Sequence, residues 1–177
     1  MRATTVLPVI LRRGLRTFAI LIAAVGLVTP RAAGAQLGIE VGAAAPDVAL
    51  ETLDGRPARL GTAIAGKPAV IEFWATWCSN CRELEPRMQA AQRKYAGRVA
   101  FVGVAVSVNQ SPERVRRYVT DHLTGFTHFY DRRGDAVGDY DVPATSYVVV
   151  TDRTGKVVYT GLGGDQDIET AIQKALR

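Results

Sequence analysis

Two cysteines, Cys78 and Cys81, stand three residues apart in a chain of 177 that contains no others. Just before them, Ala69–Trp74 is a nearly continuous apolar run, the pattern of a central strand buried on both faces. Just after them, residues 81–95 suit a helix, with Leu84, Met88 and Ala91 at helical spacing, Pro86 predicting a kink and Gly97 ending it. The pair therefore sits where a buried strand meets a helix N-terminus. A bridge across two intervening residues closes too small a loop to stabilise a fold by restricting the unfolded chain, so the pair calls for a chemical explanation.

Unpaired backbone N–H groups and the dipole at a helix N-terminus favour an anion. They lower a thiol pKa from about 8.5 to somewhere between ~3.5 and 7.5 in comparable sites. Cys78 at that position is a nucleophile near neutral pH, and Cys81, one turn on, is placed to resolve a mixed disulfide. Zinc normally wants four ligands, and the only histidines, His122 and His128, lie some forty residues downstream and read as ordinary surface or core residues. No metal and no cofactor is expected. Glu72 stands inside the apolar strand, six positions before Cys78. Burial raises a carboxyl pKa, and a raised carboxyl near the cysteines is suited to accept the Cys81 proton. The alternative is a strand-end carboxylate, exposed or paired with Lys67 or another base. Trp74 and Trp77 are packing residues by default, and Val142-Pro143 precedes a later strand.

The remaining chain reads as one domain without repeats. Residues 38–45 form a lead-in. Residues 48–52 and 58–60 flank Leu53-Asp54-Gly55-Arg56, a strong turn signal, and predict a β-hairpin. Gly66-Lys67-Pro68 is a loop, and residues 99–106 are the next apolar strand. Ser111-Pro112-Glu113 supplies an N-cap, a first-position proline and a first-turn acid for a helix to about residue 123. Residues 126–130 read as a short strand and Arg132-Arg133-Gly134-Asp135 as a turn. Residues 144–150 and 156–160 form a second hairpin, and a helix over 165–176 closes the chain. The core order is β-α-β-α-β-β-α, with parallel strands first and a hairpin last.

The formal charge of +5 is unevenly placed. Arg2, Arg12, Arg13, Arg16 and Arg31 precede residue 36, where no acid stands, and the other basic residues are matched by the 17 acidic ones. No basic footprint for nucleic acid remains. Residues 1–35 have the anatomy of a signal peptide: a basic n-region, an apolar run over 17–28, Pro30, and Ala33-Gly34-Ala35 as small residues at a cleavage site. The uncharged stretch between Arg16 and Arg31 would span roughly 21 Å as helix against a ~30 Å hydrocarbon core, which favours cleavage over an anchor. The expected organisation is a leader over 1–35 and a domain over 36–177, exported to the periplasm or another extracytoplasmic space. Membrane contact follows only if the leader stays uncleaved. Arg12-Arg13 leaves a twin-arginine signal open.

The run Phe73-Trp74-Ala75-Thr76-Trp77-Cys78-x-x-Cys81-Arg82 resembles the signature of the TlpA/ResA-like branch of exported thioredoxins. Val41-Gly42-x-x-Ala45-Pro46-Asp47, Leu53-Asp54-Gly55 and the tail Asp152-Arg153-Thr154-Gly155-Lys156 match as well, so the similarity covers roughly residues 41–175. The resemblance implies an α/β thioredoxin-like fold: a central mixed sheet flanked by helices, with an N-terminal β-hairpin. It implies a nucleophilic Cys78, a resolving Cys81 and Glu72 as the buried acid. It also implies Trp77, Val142 and Pro143 at the substrate site, with Val142-Pro143 as a cis-proline bond and Pro86 as the kink proline. The implied activity is thiol–disulfide exchange on protein substrates, most simply reduction in cytochrome c maturation, with electrons from a membrane donor. Two positions depart from the pattern: Asn80 replaces a proline between the cysteines, and Leu84 stands where many relatives carry a glutamate. A disulfide-forming oxidase, a thiol peroxidase and a non-catalytic binding module are the alternatives.

Overall fold

A computed structural model describes Met1 and residues 37–177. The expected leader, residues 1–35, apart from Met1, lies outside the described residues. Seven strands form one sheet: β1 (Ala49–Thr52), β2 (Pro57–Arg59), β3 (Ala69–Trp74), β4 (Ala100–Val106), β5 (Thr127–Asp131), β6 (Tyr147–Thr151) and β7 (Val157–Leu162). Their spatial order is β2-β1-β5-β4-β3-β6-β7. Strands β3, β4 and β5 are mutually parallel, and β6 pairs antiparallel with β3. This is the thioredoxin-like arrangement, with the expected hairpin β1–β2 added at one edge through an antiparallel β1–β5 pair.

Every residue of β3 is buried, which is what a six-residue apolar strand at the middle of a covered sheet requires. Alternation then sorts its side chains between two cores. Ile71 and Phe73 face a cluster with Val102, Val104, Phe129, Tyr147 and Val149. That side is covered by α1 (Leu60–Ile64) and α4 (Asp135–Asp139), through Leu60, Ile64 and Ala136. Val70 faces Leu84 and Met88 of α2 (Ser79–Tyr95) and Ile168 and Ile172 of α5 (Ile168–Ala175). Trp74 packs with Ala105, Tyr130 and Val115, the last from α3 (Pro112–His122). Ser111 caps α3, its hydroxyl accepting from the Arg114 N–H at 3.3 Å with Pro112 in the first turn, as the sequence indicates.

The structure refines the predicted elements in three places. Leu60 opens the short helix α1 rather than ending a strand; its N–H donates to the Val48 carbonyl at 3.0 Å. The turn at residues 132–135 leads into α4, started by Gly134 at φ 80° and tied down by Asp131, whose carboxylate accepts from Val137 N–H at 3.0 Å. Strand β6 begins at Tyr147, because Ser146 has φ 65° and so leaves the extended region. Helix α2 runs through Pro86 as one element.

Candidate active site

The sheet delivers the cysteines at the C-terminal end of β3, where the chain turns through residues 75–77 into α2. Cys78 and Cys81 form a disulfide, with their Cα atoms 5.3 Å apart. Cys78 is itself the N-cap of α2: its sulfur accepts the Cys81 backbone N–H at 3.1 Å. In the reduced protein that N–H would donate to a Cys78 thiolate, so the helix end favours the charged form of this sulfur. Both cysteines are buried, Cys78 to 4% exposure, among Trp74, Ala75 and Tyr130.

A second segment holds the turn in place. Gln110 accepts the Thr76 N–H at 2.9 Å through its side-chain oxygen, and its amide nitrogen donates to the Val106 carbonyl. Its own carbonyl accepts the Tyr130 hydroxyl at 2.8 Å. Trp77 is 41% exposed, with its indole N–H donating to the Val108 carbonyl at 2.8 Å. Trp77 and the exposed Val108 thus present apolar surface beside the disulfide, and Trp77 is not the core residue its type suggests. Gln110 carried no sequence signal, because its partner lies 34 positions away and only the β3–β4 pairing brings them together.

Glu72 is buried to 7% exposure in mid-strand, between Gly103 on β4 and Val148 on β6. Burial, and then the charge of Glu85, pushes its carboxyl up to about 8. The alternative of an exposed strand-end carboxylate does not hold. Glu85, on α2, accepts from the Tyr118 hydroxyl at 3.2 Å and from the Gln89 amide at 3.1 Å. Tyr118 in turn stacks near Trp74, with centroids 5.5 Å apart, and on His122, 4.5 Å apart. Burial and the Glu85 charge raise the Tyr118 phenol. The second carboxylate of the site is therefore Glu85, whose charge acts on Glu72.

Val142 and Pro143 are not brought to the cysteines. Val142 is half-buried against the cluster of Phe73 and Tyr140, on the other side of the sheet from the cluster that holds Cys78 and Cys81. Pro143 is exposed, and no described peptide bond is cis, so the expected cis bond at Val142-Pro143 is corrected to trans. Trans is the lower-energy isomer by about 0.5–1 kcal/mol, and an exposed ring makes no packing contact to offset that. The residue that meets the end of β3 from this side is Ser146, whose N–H donates to the Phe73 carbonyl at 2.8 Å and whose hydroxyl donates to the Gly163 carbonyl at 2.9 Å.

Residues 41–160 match the family model described as AhpC/TSA family. The thioredoxin-like protein YneN of Bacillus subtilis is 34% identical over 140 residues, covering 77% of this chain and 81% of that one. The thiol-disulfide oxidoreductase ResA of Geobacillus thermodenitrificans is 29% identical over 137 residues, covering 76% and 78%. Among solved structures, a candidate DsbE thiol:disulfide interchange protein from Chlorobium tepidum superposes with a TM-score of 0.69 at 28% identity, over 78% of this chain and 99% of that one. With a disulfide capping the helix that leaves the central strand, the chain belongs to the AhpC/TSA family and is a thiol–disulfide oxidoreductase of thioredoxin-like fold.

Proposed function

We propose that this protein is an exported reductase of protein disulfides, in which Cys78 attacks, Cys81 resolves and Glu72 takes the Cys81 proton. The observation that carries this reading is the Cys78–Cys81 pair at the N-terminus of α2, on the strand that buries Glu72. The Cys78 thiolate attacks one sulfur of a substrate disulfide, forming a mixed disulfide and releasing the other substrate sulfur as thiolate. Cys81 gives its proton to Glu72 and attacks the Cys78 sulfur. The Cys78–Cys81 bond forms, the mixed disulfide breaks, and two electrons have passed to the substrate, whose two sulfurs leave as thiolates and take their protons from solvent. The apolar surface of Trp77 and Val108 beside the pair suits an unfolded polypeptide substrate.

Return to the dithiol form needs a reductant. In an oxidising compartment that reductant is a membrane electron donor, and apocytochrome c maturation is the setting that the resemblance to the TlpA/ResA-like branch implies. The leader over residues 1–35 supports export. Among the described residues no helix is long and apolar enough to cross a membrane. Trapping tests the assignment of roles: Cys81→Ser accumulates mixed disulfides with protein substrates, and Cys78→Ser accumulates none. Trapping by Cys78→Ser instead would reverse the two roles, and trapping by neither would remove the exchange mechanism.

A further inference from the structure

The peptide unit between Ala75 and Thr76 is held from both sides. Its carbonyl accepts the Cys78 N–H at 3.1 Å, and its N–H donates to Gln110 Oε1 at 2.9 Å. The Gln110 amide nitrogen donates in turn to the carbonyl of Val106, the last residue of β4. Two amides, one of the backbone and one of a side chain, thus link the Cys78 backbone to the sheet in a single hydrogen-bonded chain. Each amide accepts on one side and donates on the other. Amides in such a chain polarise one another, so each bond strengthens the next.

Two further hydrogen bonds fix the segment that carries Gln110. The Val108 carbonyl accepts the Trp77 indole N–H at 2.8 Å, and the Gln110 carbonyl accepts the Tyr130 hydroxyl at 2.8 Å. Between them Asn109 has φ 54°, the left-handed region that asparagine tolerates. Strand pairing does not replace Gln110: β3 ends at Trp74, opposite Ala105, so the Thr76 N–H stands beyond the ladder. Thr76 is only 7% exposed. A buried N–H deprived of its partner is costly enough to turn its peptide toward another acceptor. That rotation would carry the Ala75 carbonyl away from the N–H of Cys78, the residue whose sulfur caps α2.

We propose that Gln110 is a positioning residue for Cys78: by holding the Ala75–Thr76 peptide it keeps the Cys78 sulfur on the Cys81 N–H in the reduced protein, and so favours the thiolate. The inference rests on the proposed role of Cys78 as the attacking sulfur and deepens it. Ionisation breaks the S–H bond, leaves the electron pair on sulfur and passes the proton to solvent. The titratable and charged groups on the elements packed around Cys78 are Glu72 on β3, Cys81, Arg82 and Glu85 on α2, Tyr118 on α3 and Tyr130 on β5. From β4 the neighbours are Ala105 and Val106. An uncharged replacement at Gln110 leaves every one of these groups in the chain.

The test follows the cysteine Cβ carbons by NMR in the reduced full chain as pH is raised. Gln110→Met keeps the length of the side chain but has no donor for Val106 and only a weak acceptor for Thr76. It should raise the Cys78 midpoint by about 0.5–1 unit, a roughly three- to tenfold loss of thiolate at any pH below both midpoints. Ser111→Ala removes the neighbouring cap of α3 and leaves the two-amide chain intact. It should lower the urea unfolding midpoint and leave the Cys78 midpoint in place. An unchanged Cys78 midpoint in Gln110→Met, or an equal shift in Ser111→Ala, would overturn the proposal. Should Gln110→Met fail to fold, hydrogen exchange in the unmodified reduced chain decides. The Thr76 amide proton is expected to exchange many-fold more slowly than in an unfolded peptide, and exchange at the unfolded rate would overturn the proposal. Trapping by Cys81→Ser asks separately whether Cys78 attacks, so either reading can fail alone.

Discussion

At the scale of single residues, two buried ionisable groups, Glu72 and His128, pull stability in opposite directions with pH. Glu72 is raised from an ordinary 4.5 to about 8, so between those values the folded protein holds a proton that the unfolded chain has lost. Stability therefore falls as pH rises through this window, and the deficit is complete above about 8. His128 is lowered by burial from 6.5 to about 4, so stability falls as pH drops through that range. Between 4.5 and 6.5 the two slopes oppose each other, and above 6.5 Glu72 acts alone. Urea unfolding midpoints should be nearly level across the first interval and decline from 6.5 toward 8. In Glu72→Gln the alkaline decline disappears, a gain on the order of a few kcal/mol at the upper end. A profile in Glu72→Gln parallel to that of the unmodified protein would remove Glu72 from the buried position on which its role depends. The same variant should slow release of substrate from the mixed disulfide, because Cys81 loses its proton acceptor.

At the scale of elements, strand–helix geometry decides what the sequence could disclose. The apolar run at 69–74, the Cys-x-x-Cys junction and the cap at Ser111 are local signals, and they placed β3, the start of α2 and α3 correctly. The short helices α1 and α4 escaped because five residues carry too little periodicity to separate from a turn. The expected cis-proline failed because the sequence pattern near Val142 does not reveal that Ser146, with its positive φ, occupies the approach to β3. Gln110 and Glu85 stand beside the cysteine turn and Glu72 through contacts between distant elements, which spacing in a single sequence does not encode.

Two substitutions test this packing. Leu84→Ala empties a fully buried position between α2 and the sheet and should cost about 2–5 kcal/mol in urea unfolding. Gly103→Ala drives a Cβ against the His128 and Trp74 rings and should cost about 1–3 kcal/mol. A neutral Gly103→Ala would mean that the rings over β4 are free to move aside.

At the scale of the whole molecule, charge is distributed unevenly along the chain. The first 35 residues carry five arginines and no acid, while the basic and acidic residues of the rest balance. If the leader serves export, N-terminal sequencing of the exported protein should begin at Gln36, and a chain still starting at Met1 would point to a retained anchor. The domain carries its redox pair at one end of a seven-stranded sheet, where the cap of α2 favours the thiolate and Glu72 waits below the apolar strand end. This arrangement supports exchange in either direction, and the energetics of the dithiol choose between them. The reduction potential of the Cys78–Cys81 pair, equilibrated against glutathione or dithiothreitol buffers, measures that choice. A reductase fed by a membrane donor requires a value near or below about −220 mV; a value near about −120 mV would make the protein a disulfide-forming oxidase and contradict the proposed direction.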